Sequence, residues 1–323
     1  MVDAALSHQV LHVLREGLEL SCRALVREAA ERVLAEDVEH VRDLAESSRD
    51  LLVPHVRSRC PAAVFIVSRA FVRLVIWTGT CGFGRRQADV LAQLDAVEIQ
   101  ETFYRPVSVE RASKWRAIAP QGFRFCVKAS QFITHEATSP TYRRSGRVVP
   151  DSEKRAYGSF RDTPHVREGW EATSSFAKTI RADAIVFQTP ASFGPTEANR
   201  TALYRFFESN RTDATKAIEL RGPWAGHIVE KICEDLGLVH AVDPFDKEPA
   251  TYGLAYFRLH GSPPGKTMYR YAYTDEDLAR LQTICREYDD TYVMFNNLSM
   301  HRDAVRFRSL VRGHADTAVP ARE

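Results

Sequence analysis

Several signatures that would identify a protein class are missing from this 323-residue sequence. Its six cysteines form no CxxC pair and no zinc-type Cys/His spacing, which argues against zinc ribbons and favours free thiols in a reducing cytoplasm. The most apolar early stretch, 62–77, is interrupted by Arg69 and Arg73 and falls short of the ~20 residues that span a bilayer, so we expect no membrane helix. The formal net charge is only +2, so the overall charge does not require a polyanionic partner.

Motifs of common nucleotide-binding and hydrolytic enzymes are also missing. The sequence contains no Walker loop, no GxGxxG order and no GxSxG motif of serine hydrolases. A glycine-rich segment, 79–86, could present backbone N–H groups to a phosphate, or its glycines could only permit a tight turn. Cys81 within it has no histidine partner that the sequence identifies for nucleophilic catalysis.

The main positive signal is a series of eight short, apolar, β-branched segments, each followed by a helical stretch. The predicted strands are 74–83, 96–104, 123–129, 184–190, 216–222, 238–245, 254–261 and 291–297. Strands that alternate with amphipathic helices favour right-handed βαβ units and a parallel sheet. The series predicts an α/β fold of the TIM-like (β/α)8 barrel class, in which ligands bind at the carboxyl ends of the strands.

Residues 1–73 do not follow this pattern. Their leucines and valines recur at three- and four-residue spacing, as at Leu14 and Leu18, which predicts an extra N-terminal helical segment and a linker. The barrel is then expected over 74–312, with a tail at 313–323. No methionine occurs between Met1 and Met268, so a misplaced start site is the alternative explanation of the first 73 residues.

Polar side chains at the predicted strand ends define the candidate site. Side chains two residues apart on a strand share a face, and the face that can be polar at a barrel mouth is the inward one. The residues concerned are Glu98, Lys128, Gln188, Glu219, Arg221, Asp243, Arg258, His260 and Asn296. Buried charges are costly unless they are paired or meet a ligand. An ion-pair network that only closes the barrel is therefore the alternative to a ligand site.

Two loops are expected to flank this mouth. The segment 134–168 is much longer than a usual βα loop, and its part 142–167 holds seven Lys or Arg against three acidic residues. Basic side chains suit phosphates and aromatic rings suit stacking, so we predict that Tyr142 and Arg143, and Tyr271 from the loop after the seventh strand, bind substrate. Solvated loops with ordinary tyrosine packing are the alternative.

Three chemistries fit these residue types. In the first, carboxylates exchange protons while Arg221, Arg258 and Lys128 hold a phosphate or a carboxylate. In the second, carboxylates with His135 and His260 hold a divalent metal for phosphodiester cleavage, although Asn, Arg and Lys are poor companions for a metal. The third is a glycosidase carboxylate pair, whose defining separation a sequence does not give.

Ordered motifs along the barrel resemble the YecE-like family, also called domain of unknown function 72. They include GTCGF (79–83), VEIQ (97–100), VFQTP (186–190), YFRLHG (256–261) and FNN (295–297). The segments SPTYR (139–143), VDPF (242–245) and YTDEDL (273–278) look most like the archaeal branch of that family. The resemblance covers about 74–312 and implies a TIM-like barrel related in shape to apurinic endonucleases and sugar isomerases, without an established activity. It adds His135 and Asn297 to the polar positions expected at the site. Two departures from the family pattern matter: Cys81 and Phe83 stand where many members carry Ser and Trp, and the short run 84–95 before the second strand leaves that side of the mouth more open.

We therefore predict a cytoplasmic barrel enzyme, such as a hydrolase of phosphate esters, that acts on a phosphate-bearing small molecule, a nucleotide or a nucleic acid. Glu219 and His260 would exchange protons, with Asp243 and Glu98 as further catalytic carboxylates. We expect no cofactor and no membrane partner, although a divalent metal is left open. The alternatives are a non-catalytic nucleic-acid or nucleotide-binding barrel and a protein-interaction scaffold.

Overall fold

The computed structural model describes residues 75–262, 265 and 267–316, and the N-terminal segment 1–73 lies outside them, as does most of the tail predicted at 313–323. Eight parallel strands close into one barrel in sequence order, which confirms the predicted TIM fold. The strands are β1 (Val75–Cys81), β2 (Ala96–Ile99), β3 (Arg124–Lys128), β4 (Ala184–Gln188), β5 (Thr215–Glu219), β6 (Val239–Val242), β7 (Leu254–Leu259) and β8 (Asp290–Phe295). The barrel closes where β1 pairs with β8, from Val75 beside Asp290 to Thr80 beside Phe295.

Helices surround the barrel. They are α1 (Gln87–Gln93), α2 (Glu101–Tyr104), α3 (Val109–Ile118), α4 (Gln131–Thr134), α5 (Pro164–Ile180), α6 (Glu197–Ser209), α7 (Gly226–Leu236), α8 (Asp275–Cys285) and α9 (Met300–Asp316). Local sequence sets their starts: the Thr163 hydroxyl accepts from the backbone N–H of Val166 at α5, and Thr274 forms a capping box with Asp277 at α8. None of the described helices has both the length and the apolar character to cross a bilayer.

One connection differs from the predicted pattern. The periodicity predicts a helix after every strand, but residues 243–253 between β6 and β7 contain none. The Asp243 carboxylate accepts from the backbone N–H of Phe245 at 3.1 Å, which stabilises a turn, and Pro244 and Pro249 lack the N–H groups that a helix needs. The short connection places Asp243 at the barrel mouth.

Each strand has two buried faces. The outward faces pack against the helices in a large core that includes Phe125, Phe187 and Phe257. The inward faces carry many small side chains around Tyr256 and Tyr292, whose ring centroids lie 5.5 Å apart. The charged residues at the strand ends therefore lie next to a layer of small apolar and aromatic side chains inside the barrel.

The long loop after β3 is packed by its own aromatic side chains. It contains 3-10 turns at Pro140–Arg144 and Lys154–Ala156. Tyr142 is only 6% exposed, stacks at 5.7 Å on Phe132 and donates a hydrogen bond from its hydroxyl to the carbonyl oxygen of His135 at 3.0 Å. Tyr157 packs edge-on against the same Phe132 ring. Tyr142 was predicted to bind substrate, and in the structure its ring is covered by the loop itself.

Candidate functional site

Arg258 is the centre of the strand-end cluster. Its side chain is 0% exposed, and its five guanidinium N–H groups face five acceptors. Nε and Nη2 donate to Glu98 at 3.0 and 2.8 Å, Nη1 donates to Glu219 and, at 3.2 Å, to Gln188, and Nη2 also approaches the Cys81 sulfur at 3.7 Å. The partners come from β1, β2, β4 and β5, so Arg258 ties four strands to β7 and has no donor left for a ligand.

A second set of charged groups continues from Glu219 towards the mouth. Arg221 donates from Nε to Glu219 Oε1 at 2.6 Å, and its Nη2 lies 3.1 Å from Nε2 of His260. Asp243 lies 3.6 Å from Nδ1 of His260 and accepts from the backbone N–H of the same residue at 2.8 Å. Since arginine only donates, Nε2 accepts, which leaves the proton of the neutral imidazole on Nδ1, facing Asp243.

The two central carboxylates are held in their ionised form. Burial alone raises the pKa of Glu98, but the charge of Arg258 and its hydrogen bonds outweigh burial and lower it. The Tyr256 hydroxyl also donates to Glu98 Oε2 at 2.9 Å. Burial likewise raises the pKa of Glu219, and the charges of Arg258 and Arg221 bring it well below its usual range. Both groups therefore carry negative charge at neutral pH.

Lys128 differs from the two arginines of the cluster. It ends β3, is 7% exposed, and its Nζ lies 4.1 Å from the ring centroid of Phe103 in a cation–π contact. Among the described residues, no carboxylate forms an ion pair with it. Burial and the nearby Arg258 charge lower the pKa of Lys128 to about 7, although Glu98 and Glu219 oppose the shift.

His135 contacts the same phenylalanine. Its ring meets Phe103 edge-on with centroids 5.1 Å apart, and its Nδ1 lies 2.7 Å from the Thr134 hydroxyl. Burial, together with the positive charge of Lys128, lowers the pKa of His135 to about 3. The imidazole is therefore neutral, and the contact to Thr134 fixes the orientation of the ring.

The remaining predicted residues fall into two groups. Asn296 is half-buried at the end of β8, on the inward alternation of Tyr292 and Met294. Three others lie apart from the cluster. Asn297 donates to Asp303, to the Ser299 hydroxyl and to the backbone oxygen of Tyr271. The Tyr271 hydroxyl donates to Asp277 at 2.6 Å, and Arg143 is exposed on the loop surface.

Three residues of the site were not among the predicted ones. Tyr256 precedes Arg258 by two positions, so strand alternation could have identified it. Phe103 gives no such signal, because it lies on the short helix α2 after β2, where the sequence predicted more strand. Tyr269 belongs to the loop after β7, and its ring lies 5.9 Å from that of His260. A loop conformation decides which tyrosine reaches the mouth, and composition does not reveal it.

Within the part of the chain that the structure describes, no group of three or more His, Cys, Asp or Glu side chains is arranged to hold an ion. The carboxylates nearest the centre, Glu98 and Glu219, are instead engaged by Arg258.

Comparisons with solved structures support the fold. A DUF72 family protein from Enterococcus faecalis V583 is 20% identical with a TM-score of 0.57, covering 75% of this chain and 99% of that one. A DUF72 family protein from Thermotoga maritima MSB8 is 20% identical with a TM-score of 0.52, covering 74% and 99%. Endonuclease IV from Thermus thermophilus is 12% identical with a TM-score of 0.44, covering 76% and 98%, which is too distant to carry an argument.

A search of curated proteins found no match. The family model described as "Protein of unknown function DUF72" matches residues 85–321, which is most of the chain. The matched range includes every strand of the barrel except β1, and the described residues of the candidate cluster apart from Cys81 lie within it. The chain therefore belongs to the DUF72 family.

Proposed function

We propose that this protein is an enzyme that acts on a phosphate-bearing substrate at the carboxyl ends of the barrel strands. The observation that carries the proposal is the state of Lys128, a buried cationic side chain without a carboxylate partner among the described residues. Burying a charge without a partner is costly, so such a site is poised to receive an anion. Arg221, whose side chain is 32% exposed, adds a second cation that a ligand can reach.

The cationic residues take different roles in this proposal. Lys128 and Arg221 contact the phosphate, whereas Arg258 acts as a positioning residue because its five donors are already matched. Arg258 was expected to bind the anion directly, and its complete burial favours the indirect role. Gln188 and Asn296 contribute amide groups near the same mouth.

His260 exchanges protons through Nε2 in the proposed reaction, after the bound phosphate has drawn Arg221 Nη2 away from that nitrogen. Its ring lies between Asp243, 3.6 Å from Nδ1, and Glu219, 4.0 Å from Nε2. Asp243 orients the imidazole and stabilises its protonated form, as carboxylates do for catalytic histidines. Glu219 keeps Arg221 in place and adds negative charge beside a histidine that gains a proton.

Ligand-dependent stability tests the binding half of the proposal. The thermal stability of the full chain is measured with inorganic phosphate, nucleotides, sugar phosphates and oligonucleotides, since a ligand at ~100 times its dissociation constant adds ~2.7 kcal/mol. We expect at least one class to stabilise the wild type and to lose this effect in Lys128→Met and Arg221→Met. Lys114→Met, at an exposed lysine on α3, is the matched control and should keep it. No stabilisation by any phosphate compound would overturn the proposal.

Glu219→Gln separates an enzyme from a binding protein. An enzyme loses turnover of the stabilising ligand while it retains the thermal shift, because Gln keeps the shape of the carboxylate but not its charge. A wild type that binds the ligand and shows no turnover would favour the non-catalytic nucleotide-binding alternative. A wild type that binds none of them would favour the protein-interaction alternative.

A further inference from the structure

Lys128 has the surroundings of a nucleophilic amine as well as those of an anion ligand. It lies at the carboxyl end of β3, where barrel enzymes place reacting groups. Its Nζ lies over the Phe103 ring, and neither a hydrogen bond nor an ion pair to a described residue occupies it. Two guanidinium groups, Arg258 and Arg221, act on it electrostatically. An apolar contact and neighbouring cations are the conditions that make a lysine amine nucleophilic.

We infer that Lys128 forms an imine with the carbonyl carbon of its substrate, which is then a phosphorylated aldehyde or ketone. This inference rests on the proposed function, because Arg221 still holds the phosphate while Lys128 reacts with the carbonyl group. It narrows the substrate class from phosphate compounds in general to those that also carry a free or ring-opening carbonyl group. The iminium ion is itself a cation, so the positive charge beside the phosphate is retained.

The step balances with one proton taken from solvent. The Nζ lone pair attacks the carbonyl carbon, a C–N bond forms, and the C=O double bond becomes a single bond. A proton moves from nitrogen to oxygen and gives a carbinolamine. A second proton then allows the C–O bond to break, so that water leaves and a protonated imine remains. Carbonyl compound, amine and one proton thus give iminium and water.

His135 is the residue that relays the first proton. Its neutral imidazole contacts the same Phe103 ring as Lys128, and only Nδ1 has a partner, the Thr134 hydroxyl. Among described residues, Nε2 is left without one. In the tautomer whose Nδ1–H donates to the Thr134 hydroxyl, Nε2 can accept a proton from the attacking nitrogen and return it to the oxygen. The proton passes on to the oxygen in the same event, because burial lowers the pKa of His135 to about 3 and its ring does not hold the proton.

The protonation state of Lys128 supports the reaction at neutral pH. A lysine with the ordinary pKa of 10.5 is an amine in roughly one of 3000 molecules at pH 7. With its pKa lowered to about 7, roughly half of the Lys128 side chains are amines under the same conditions. The ammonium form attracts the phosphate and the amine form attacks the carbonyl.

Reductive trapping tests the inference. The full chain is mixed with glyceraldehyde 3-phosphate, the imine is reduced with sodium borohydride, and the modified lysine is identified by peptide mass spectrometry. We expect one reduced adduct, at Lys128, formed more than tenfold faster than with unphosphorylated glyceraldehyde. Lys216→Arg is the matched control. Lys216 is also partly buried with a lowered pKa, but it lies near the amino end of β5, at the opposite end of the barrel from Lys128. This variant should be trapped at Lys128 as the wild type is.

The outcomes separate this inference from the proposed function. If glyceraldehyde 3-phosphate or another phosphate compound stabilises the chain but no Lys128 adduct forms, the imine is ruled out and phosphate binding stands. If neither stabilisation nor an adduct appears, both fail. Adducts spread over the exposed lysines, unchanged in Lys128→Arg, would also overturn the imine. Peptide mapping of the wild type decides these cases even if Lys128→Arg does not fold.

Discussion

Arg258 and Glu98 form a two-point ion pair inside the barrel, with Nε 3.0 Å from Oε2 and Nη2 2.8 Å from Oε1 and both side chains fully buried. The pair joins β7 to β2, which are not neighbours in the sheet. The contact therefore crosses the interior rather than following the hydrogen-bond ladder. The same ion pair therefore stabilises the barrel and holds the side chains of the candidate site in place.

Removing Arg258 should therefore destabilise the protein strongly. Arg258→Met leaves Glu98 buried without a cationic partner and Glu219 with Arg221 alone, and the loss of one member of a buried ion pair costs about 3–5 kcal/mol. Urea unfolding followed by circular dichroism measures the effect. Arg221→Met is the comparison, because its partly exposed side chain pairs with Glu219 alone and should cost much less. Equal losses would mean that Arg258 does not hold the network together.

Lys128 should make stability depend on pH in the alkaline range. Folding lowers its pKa from 10.5 to about 7, so between these values the unfolded chain binds more protons and stability rises with pH. Lys128→Met lacks this contribution and should be the more stable protein at pH 7. The advantage should shrink towards pH 10, by at most about 1.4 kcal/mol per pH unit. Urea unfolding at several pH values measures the difference in unfolding free energy between the two proteins, in which the titrating groups common to both cancel. If the two curves of unfolding free energy against pH ran parallel, they would contradict the lowered pKa of Lys128.

Gly158 should be required for the position of His135. It has a φ of +75°, and an added Cβ would lie 2.2 Å from the carbonyl carbon of His135. Gly146, in the same loop with a φ of +74°, has open space around its Cβ position. Gly146→Ala should lower the free energy of unfolding by about 1–2 kcal/mol, because alanine is strained at a positive φ. Gly158→Ala should cost about 1–3 kcal/mol more, from the steric overlap. Thermal unfolding measures both, and equal costs would show that the loop moves away freely.

Tyr142 should act through loop packing. Tyr142→Phe removes the hydrogen bond to the His135 carbonyl and should cost about 1 kcal/mol, with affinity for phosphate compounds nearly unchanged. Arg143→Ala, at the exposed neighbour, should change stability by less than about 0.5 kcal/mol. Chemical denaturation and ligand titration check the two quantities separately. A loss of affinity without a loss of stability in Tyr142→Phe would restore the predicted contact with substrate.

The fold was predictable because its signal repeats eight times. Each strand is a short apolar run and most connections are amphipathic, so an error in one element leaves the class intact. The connection after β6 shows the limit, since Asp243 and two prolines replace a helix by a turn that periodicity does not reveal. Strand boundaries were predicted less accurately, because they also depend on local turns. The second predicted strand, 96–104, runs through α2, a helical turn that directly follows β2.

The site was predictable as a set of positions, but not as a set of contacts. Alternation along β7 places Arg258 inside the barrel, but it does not say that five acceptors surround its guanidinium. The depth of a side chain depends on the size of its neighbours on other strands. For Tyr142 the sequence gives an aromatic ring in a basic loop, and only the folded loop decides that the ring faces Phe132.

The pairing of β1 with β8 has a consequence for how the chain folds during synthesis. Val75 and Asp290 are more than 200 residues apart, so β1 leaves the ribosome on the order of ten seconds or more before its partner exists. Until then, the backbone groups on that side of β1 form an open sheet edge that can pair with other chains. High contact order of this kind slows folding. We expect nascent chains that stop before β8 to need chaperones to stay unaggregated.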